Sequence, residues 1–219
     1  MIKAENISKI YDKPEKRVAL SGVSLVFPDT GLVVVAGESG SGKTTLVNIL
    51  SGLDTPTSGS VGKDFDVPGA YVFQDSRMIG NMTLEENLRL AADITGEKPD
   101  IPAYLSRYGL EEVKDHTPNR LSAGQNQRAA VLRAVLMNRA VIFADEPTGN
   151  LDRENAERVA ALLKEESAKR LVITVTHDRE LFGKYADRII ELDKGKVIRD
   201  DAVRESPGPR VSCAEAKPK

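Results

Sequence analysis

The chain has 219 residues, with 31 Lys or Arg against 33 Asp or Glu, a formal net charge of −2. That balance carries no basic signature for nucleic acid, and the length suits one large α/β domain with a full core. The only cysteine, Cys213, excludes an internal disulfide framework and fits a reducing compartment. The first residues, MIKAENISKIYD, have no apolar segment of signal-peptide type, and no run approaches the ~20 apolar residues of a membrane helix. Work at a membrane would need another polypeptide, or a segment outside this sequence, to cross it.

Residues 2–10 and 18–27 are rich in β-branched and apolar residues, which predicts two strands around a turn at Asp12-Lys13-Pro14. Tyr11 closes the first strand. A second turn, Pro28-Asp29-Thr30-Gly31, leads into LVVVA at 32–36, a predicted buried central strand. Next comes Gly37-Glu38-Ser39-Gly40-Ser41-Gly42-Lys43-Thr44, followed by Thr45. The first eight fit G-x-x-x-x-G-K-[ST] at every position. Leu46, Val47, Ile49 and Leu50 then have the spacing of a helix's buried face.

Strand, glycine loop and helix form the context in which this motif binds phosphates. The glycines let backbone N–H groups approach a triphosphate, and a helix starting near Lys43 adds its positive end. Lys43 can reach the β- and γ-phosphates, and the Thr44 hydroxyl can ligate Mg²⁺.

Beyond that helix, residues 54–59 read as a loop, with a short β segment from Ser60 and an apolar strand over 70–73 ending at Gln74. Residues 83–108 read as helical. Thr83 and Glu86 make a capping box, and Gly96, Pro99 and Pro102 divide the region into at least two helices. Further helices are predicted over 122–138 and 152–168. Strands are predicted over 140–144, ending in Asp145-Glu146, and 171–176, ending at His177. A terminal hairpin turns around Gly195, and from about Asp201 the chain reads as a flexible tail or linker. Alternating strands and helices imply a mainly parallel sheet covered on both faces.

Four apolar strands thus end in polar groups: the glycine loop, Gln74, Asp145-Glu146 and His177. In a parallel sheet such ends line one crevice, so all four should converge on the nucleotide. An acid closing a buried strand, as Asp145 does, helps to hold Mg²⁺. Glu146, one residue on, is placed to take a proton from attacking water. Ser122, the Gly124 N–H and the helix start that follows form a second anion site, or else an ordinary N-cap serine with a small-residue turn.

LSAGQNQR (121–128), FADEPTGNLD (143–152) and ITVTHD (173–178) resemble the signature, metal-acid and switch-histidine motifs of ABC-transporter ATPases. The resemblance runs from Met1 to about Asp200. The TGNLD ending, Pro56-Thr57-Ser58-Gly59 and VFQ before the glutamine look like the lipoprotein-release, macrolide-export, cell-division and antimicrobial-peptide-resistance branch. It implies a P-loop NTPase with a RecA-like core, a small antiparallel β-subdomain and a shortened helical subdomain at about 75–135, within a 1–200 domain followed by a tail at 201–219.

The resemblance also implies roles. Tyr11 would stack on adenine, and Lys43 and Thr44 would contact phosphate and Mg²⁺, as would the rest of 37–45. Gln74 would reach Mg²⁺ and the attacking water, Asp145 would hold the metal, Glu146 would be the base and His177 would contact the γ-phosphate. Ser122, Gly124, Gln125 and Asp152 would serve the ATP of a second copy in an ATP-dependent homodimer. An integral-membrane permease would be the second partner, with the chain peripheral on the cytoplasmic face of the membrane. Met78, Ile79 and Met82 would offer it an apolar groove, or else belong to the subdomain core. Ala123 stands where the family has glycine, and any need for positive φ there would be strained. Asn138 stands where proline is frequent. Residues 60–70 and 87–109 are shorter than usual for the branch. Two other readings remain open: an ATPase regulating a membrane partner without transport, and an ABC ATPase of DNA maintenance or translation, which the absence of a basic face disfavours.

Overall fold

A computed structural model describes residues 1–12, 16–64, 68–96 and 98–203. An antiparallel sheet of order β2-β1-β4 contains β1 (Ile2–Tyr11), β2 (Arg17–Phe27) and β4 (Ser58–Lys63). A six-stranded sheet contains β3 (Gly31–Ala36), β5 (Ala70–Val72), β6 (Val141–Asp145), β7 (Leu171–Thr176), β8 (Arg188–Asp193) and β9 (Lys196–Ala202). Its order is β5-β6-β7-β3-β8-β9, parallel throughout except for the β8–β9 hairpin. The carboxyl ends of β5, β6, β7 and β3 therefore lie along one edge.

Among the described residues, six α-helices accompany the sheets: α1 (Lys43–Ser51), α2 (Leu84–Asp93), α3 (Ile101–Arg107), α4 (Ala123–Leu136), α5 (Arg153–Ser167) and α6 (Arg179–Gly183). Strand β3 is buried at every position because both of its faces are covered. Alternation along a strand sorts its side chains. Leu32, Val34 and Ala36 join the core formed with α2, α4 and α5. Val33 and Val35 join the core formed with α1 and the antiparallel sheet, which includes Phe27, Leu46, Leu50 and Phe143.

Local chemistry sets most helix starts. The α2 capping box is present: the Glu86 N–H donates to the Thr83 hydroxyl at 3.2 Å and the Thr83 N–H donates to Glu86 at 2.7 Å. Pro99 lies between α2 and α3, but Pro102 sits inside the first turn of α3, where its missing N–H costs nothing. Asn138 ends α4 with φ 44°, a left-handed conformation that asparagine tolerates. Strand β9 continues to Ala202, and the Val203 N–H donates to the Asp187 carbonyl at 2.8 Å, so ordered structure passes residue 200. The Lys13-Pro14 part of the first turn, Cys213 and the remainder of the C-terminal stretch lie outside the described residues.

The segment after β5 is irregular but tied down by buried side chains. The Asn87 amide bridges Ile79, Met82 and Thr83, with the Ile79 N–H donating to its Oδ1 at 2.7 Å. From α4, Gln127 donates to the Phe73 carbonyl at 3.0 Å and Arg133 donates to the Ser76 and Arg77 carbonyls at 2.9 and 2.6 Å. Met78 packs on the core while Ile79 is exposed, so the apolar residues of this stretch divide between core and surface.

Candidate functional site

The glycine loop crosses from β3 into α1 over the carboxyl edge of the sheet. Gly37 and Gly42 have positive φ (155° and 105°), and close contacts also demand glycine there. A Cβ on Gly37 would lie 2.3 Å from the Leu192 carbonyl oxygen, and one on Gly42 would lie 2.4 Å from that of Ala19. The loop is therefore pressed against β8 and β2. Gly42 N-caps α1 without a side-chain cap, which leaves first-turn N–H groups to serve an anion. The Ser41 hydroxyl is buried and has no hydrogen-bond partner among the described residues. Lys43, almost wholly buried, donates to the carbonyls of Gly37 and Glu38 at 2.7 and 2.9 Å.

The loop borders a cavity of about 420 Å³. Tyr11, Ser39, Gly40 and Gly42 line it, with Lys43, Thr44 and Thr45 from α1. Gln74 enters from the end of β5, Glu146 from the end of β6 and His177 from the end of β7. The strand-end residues expected to converge do so. The Thr44 hydroxyl donates to Asp145 at 3.0 Å, across 101 positions of sequence. Burial raises the Asp145 carboxyl above the ordinary aspartate range, the hydrogen bond from Thr44 opposes that, and the charge of Glu146 adds to it.

Glu146 itself sits at φ 45°, an uncommon conformation for a residue with a side chain, held by its N–H bond to the Val175 carbonyl at 2.9 Å. The bend aims its carboxylate into the cavity. One oxygen faces His177 Nδ1 at 2.9 Å and accepts from the His177 N–H at 3.3 Å; the other lies 3.9 Å from the Lys43 ammonium. Such a carboxylate is oriented on one side and free to accept a proton on the other. Tyr11 is partly exposed at the cavity rim, with its hydroxyl donating to Asp54 at 2.8 Å. Burial and the Asp54 charge raise its phenol.

The other predicted residues fall elsewhere. Gly37 and Glu38 line a neighbouring crevice beside β8. Ser122, Gly124, Gln125 and Asp152 do not line the Lys43 cavity. Ser122 N-caps α4 in a reciprocal box: the Gln125 N–H donates to its hydroxyl at 3.2 Å, and the Ser122 N–H donates to Gln125 at 2.8 Å. Ala123 opens the helix without positive φ, so it carries no strain. Asp152 N-caps α5, and hydrogen bonds from the Asn155 backbone and side chain hold its carboxyl below the usual range.

Arg17, Ala19 and Gly149 also line the cavity and were not singled out from the sequence; of these, Arg17 brings a charge. Arg17 donates to the Gly40 carbonyl at 3.2 Å and stands opposite Tyr11 in the β1–β2 register. No motif contains it; only the hairpin pairing brings it to the phosphate loop.

Oxygen donors suited to a hard divalent cation meet at Thr44 and Asp145, with Gln74 on the same cavity wall. No group of three or more His, Cys, Asp or Glu able to hold a metal occurs among the described residues. Mg²⁺ needs no such cage, because it uses one or two protein oxygens with water and phosphate.

A family model described as ABC transporter matches residues 20–149. An uncharacterised ABC transporter ATP-binding protein of Methanocaldococcus jannaschii is 38% identical over 220 residues, covering 90% of this chain and 98% of that protein. The macrolide export ATP-binding/permease protein MacB of Salmonella typhimurium is 37% identical over 222 residues, covering 91% of this chain but 34% of that protein. This chain thus spans about a third of the MacB relatives. A solved dimer of the ATP-binding cassette MJ0796, described as a post-hydrolysis state bound to ADP and Pi, is similar with TM-score 0.82 and 33% identity, covering 94% of this chain and 100% of that one.

Proposed function

Since the chain belongs to the ABC transporter family and is an ATP-binding, ATP-hydrolysing cassette of it, we propose that two copies close over shared ATP and so drive a membrane-spanning permease. The carrying observation is that the predicted binding residues fall into two groups on one chain. Tyr11, Lys43, Glu146 and His177 surround the cavity, while Ser122, Gly124, Gln125 and Asp152 lie outside it. Pairing two copies head to tail sets the second group of one against the cavity of the other. A relative solved as a dimer supports the pairing of two copies.

In this reading the first-turn N–H groups of α1 and Lys43 bind the phosphates, and Tyr11 stacks on adenine. Thr44 and Asp145 would hold Mg²⁺, assisted by Gln74; the ion would neutralise phosphate charge. Glu146 accepts the proton of the attacking water, and His177 both orients Glu146 and faces the γ-phosphate. No described helix is long and apolar enough to cross a membrane. The permease therefore lies on another polypeptide or another segment, as in the MacB relatives that combine both parts. The cassette sits at the inner membrane face through that partner. ATP turnover per chain should rise steeply with chain concentration before reaching a plateau. A rate per chain independent of concentration, with the chain monomeric throughout, would overturn the shared site.

Arg17 adds a phosphate contact to this site. Arg17→Ala is expected to weaken ATP binding about fivefold, the upper range for an exposed charge pair. Titration with ATP and with adenosine checks this: only ATP should lose affinity.

A further inference from the structure

The first turn of α4 and the first turn of α5 touch through one side chain. A Cβ built on Gly124 would lie 2.2 Å from Asn155 Oδ1, 2.4 Å from its Cγ and 3.0 Å from its Cβ. Gly124 has no positive φ, so it is space and not backbone conformation that demands glycine here. The Asn155 amide is used on both edges. Its Oδ1 accepts from Arg128 Nη1 of α4 at 2.7 Å. Its Nδ2 donates to both carboxylate oxygens of Asp152 at 3.0 and 2.9 Å, and its backbone N–H donates to the same carboxylate at 2.8 Å. Arg128 is buried and anchored further by donating to the Tyr108 carbonyl at 3.1 Å.

We propose that Asn155 is a positioning residue that locks Asp152 to the Ser122–Gly124 helix start within one chain, with Gly124 as its seat. A planar amide fits this place because it accepts from the guanidinium on one edge and donates to the carboxylate on the other. Asp152, Ser122 and Gly124 are then presented to a second copy as one rigid face, already set before the copies meet. The inference rests on the shared-site reading above, because only there do these three residues act together on a partner's nucleotide. Asn155 touches neither the nucleotide cavity nor the loop that binds the phosphates, so its effect should fall on turnover and closure and spare binding to the single chain.

The test uses Asn155→Ala, Asn155→Gly, Gly124→Ala and the double variant Gly124→Ala with Asn155→Gly, each in the otherwise intact chain and in a Glu146→Gln background. Asn155→Ala should bind ATP as tightly as the parent while kcat falls roughly ten- to hundredfold, the range for a misplaced reacting group, with KM little changed. In the Glu146→Gln background it should weaken ATP-dependent dimerisation. Gly124→Ala should lower the unfolding temperature, and Asn155→Gly should relieve that loss, so that the two changes are non-additive. Wild-type kcat and dimerisation in Asn155→Ala would overturn the positioning role. An undiminished effect of Gly124→Ala in the Asn155→Gly background would overturn the seat. If the Glu146→Gln parent itself formed no ATP-dependent dimer, the shared-site reading would fail first, and the unfolding measurements would still decide the Gly124–Asn155 contact.

Discussion

Glu146→Gln should leave ATP binding intact and slow turnover by roughly 10²–10⁴-fold, the range for a positioned general base. Glutamine keeps the size of the side chain and can still hydrogen-bond His177, which lies 2.9 Å from the carboxylate. It cannot take a proton from water. The same change removes a negative charge that helps to hold the Asp145 carboxyl above its ordinary range. Asp145, raised chiefly by burial, should then lose its proton at lower pH in the metal-free chain than in the parent. With binding intact and chemistry slowed, an ATP-bound dimer should accumulate and be visible by size-exclusion chromatography. Hydrolysis near the parent rate would remove Glu146 as the base.

Lys43→Ala and Ser122→Arg should each abolish turnover alone, by different routes. Lys43 supplies the ammonium inside the loop, bonded to the Gly37 and Glu38 carbonyls, and without it triphosphate binding is lost. Ser122 lies outside that cavity, so Ser122→Arg should leave ATP binding to the single chain unchanged and block closure. Removing the N-cap costs about 1 kcal/mol in itself, and Ser122→Ala controls for that. Mixing the two inactive chains equally forms mixed dimers in which one of the two sites pairs an intact Lys43 with an intact Ser122. If subunits pair at random and sites act independently, the mixture should recover about a quarter of the wild-type rate. A mixture no more active than its components would count against sites shared between copies.

Much of the site was legible because its parts are short and local. The run 37–44 declares itself through glycine spacing and a strand and helix on either side, and the structure has β3, Gly42 and α1 in that order. The Thr83–Glu86 capping box follows from local backbone chemistry and was readable for the same reason. Arg17 was not readable, because its relevance comes from standing across a hairpin from Tyr11. Asn155 was not readable either: its neighbours Arg128 and Gly124 lie 27 and 31 positions away on another helix. Ser122 in isolation reads as an N-cap more readily than as an anion site, and in the single chain its hydroxyl does cap α4.

The sequence by itself determined which groups close its apolar strands: a glycine-rich loop with Lys43 and Thr44, then Gln74, then Asp145-Glu146, then His177. Tertiary structure decided which of these groups meet. The order β5-β6-β7-β3-β8-β9 places the ends of β6 and β7 beside the loop after β3, so that Asp145 reaches Thr44 and Glu146 reaches His177. Periodicity reports which face of a strand is buried, but strand order depends on packing between segments more than 100 residues apart. For the same reason, only the fold separates Ser122, Gly124 and Asp152 from the cavity and sets Asn155 between Gly124 and Asp152.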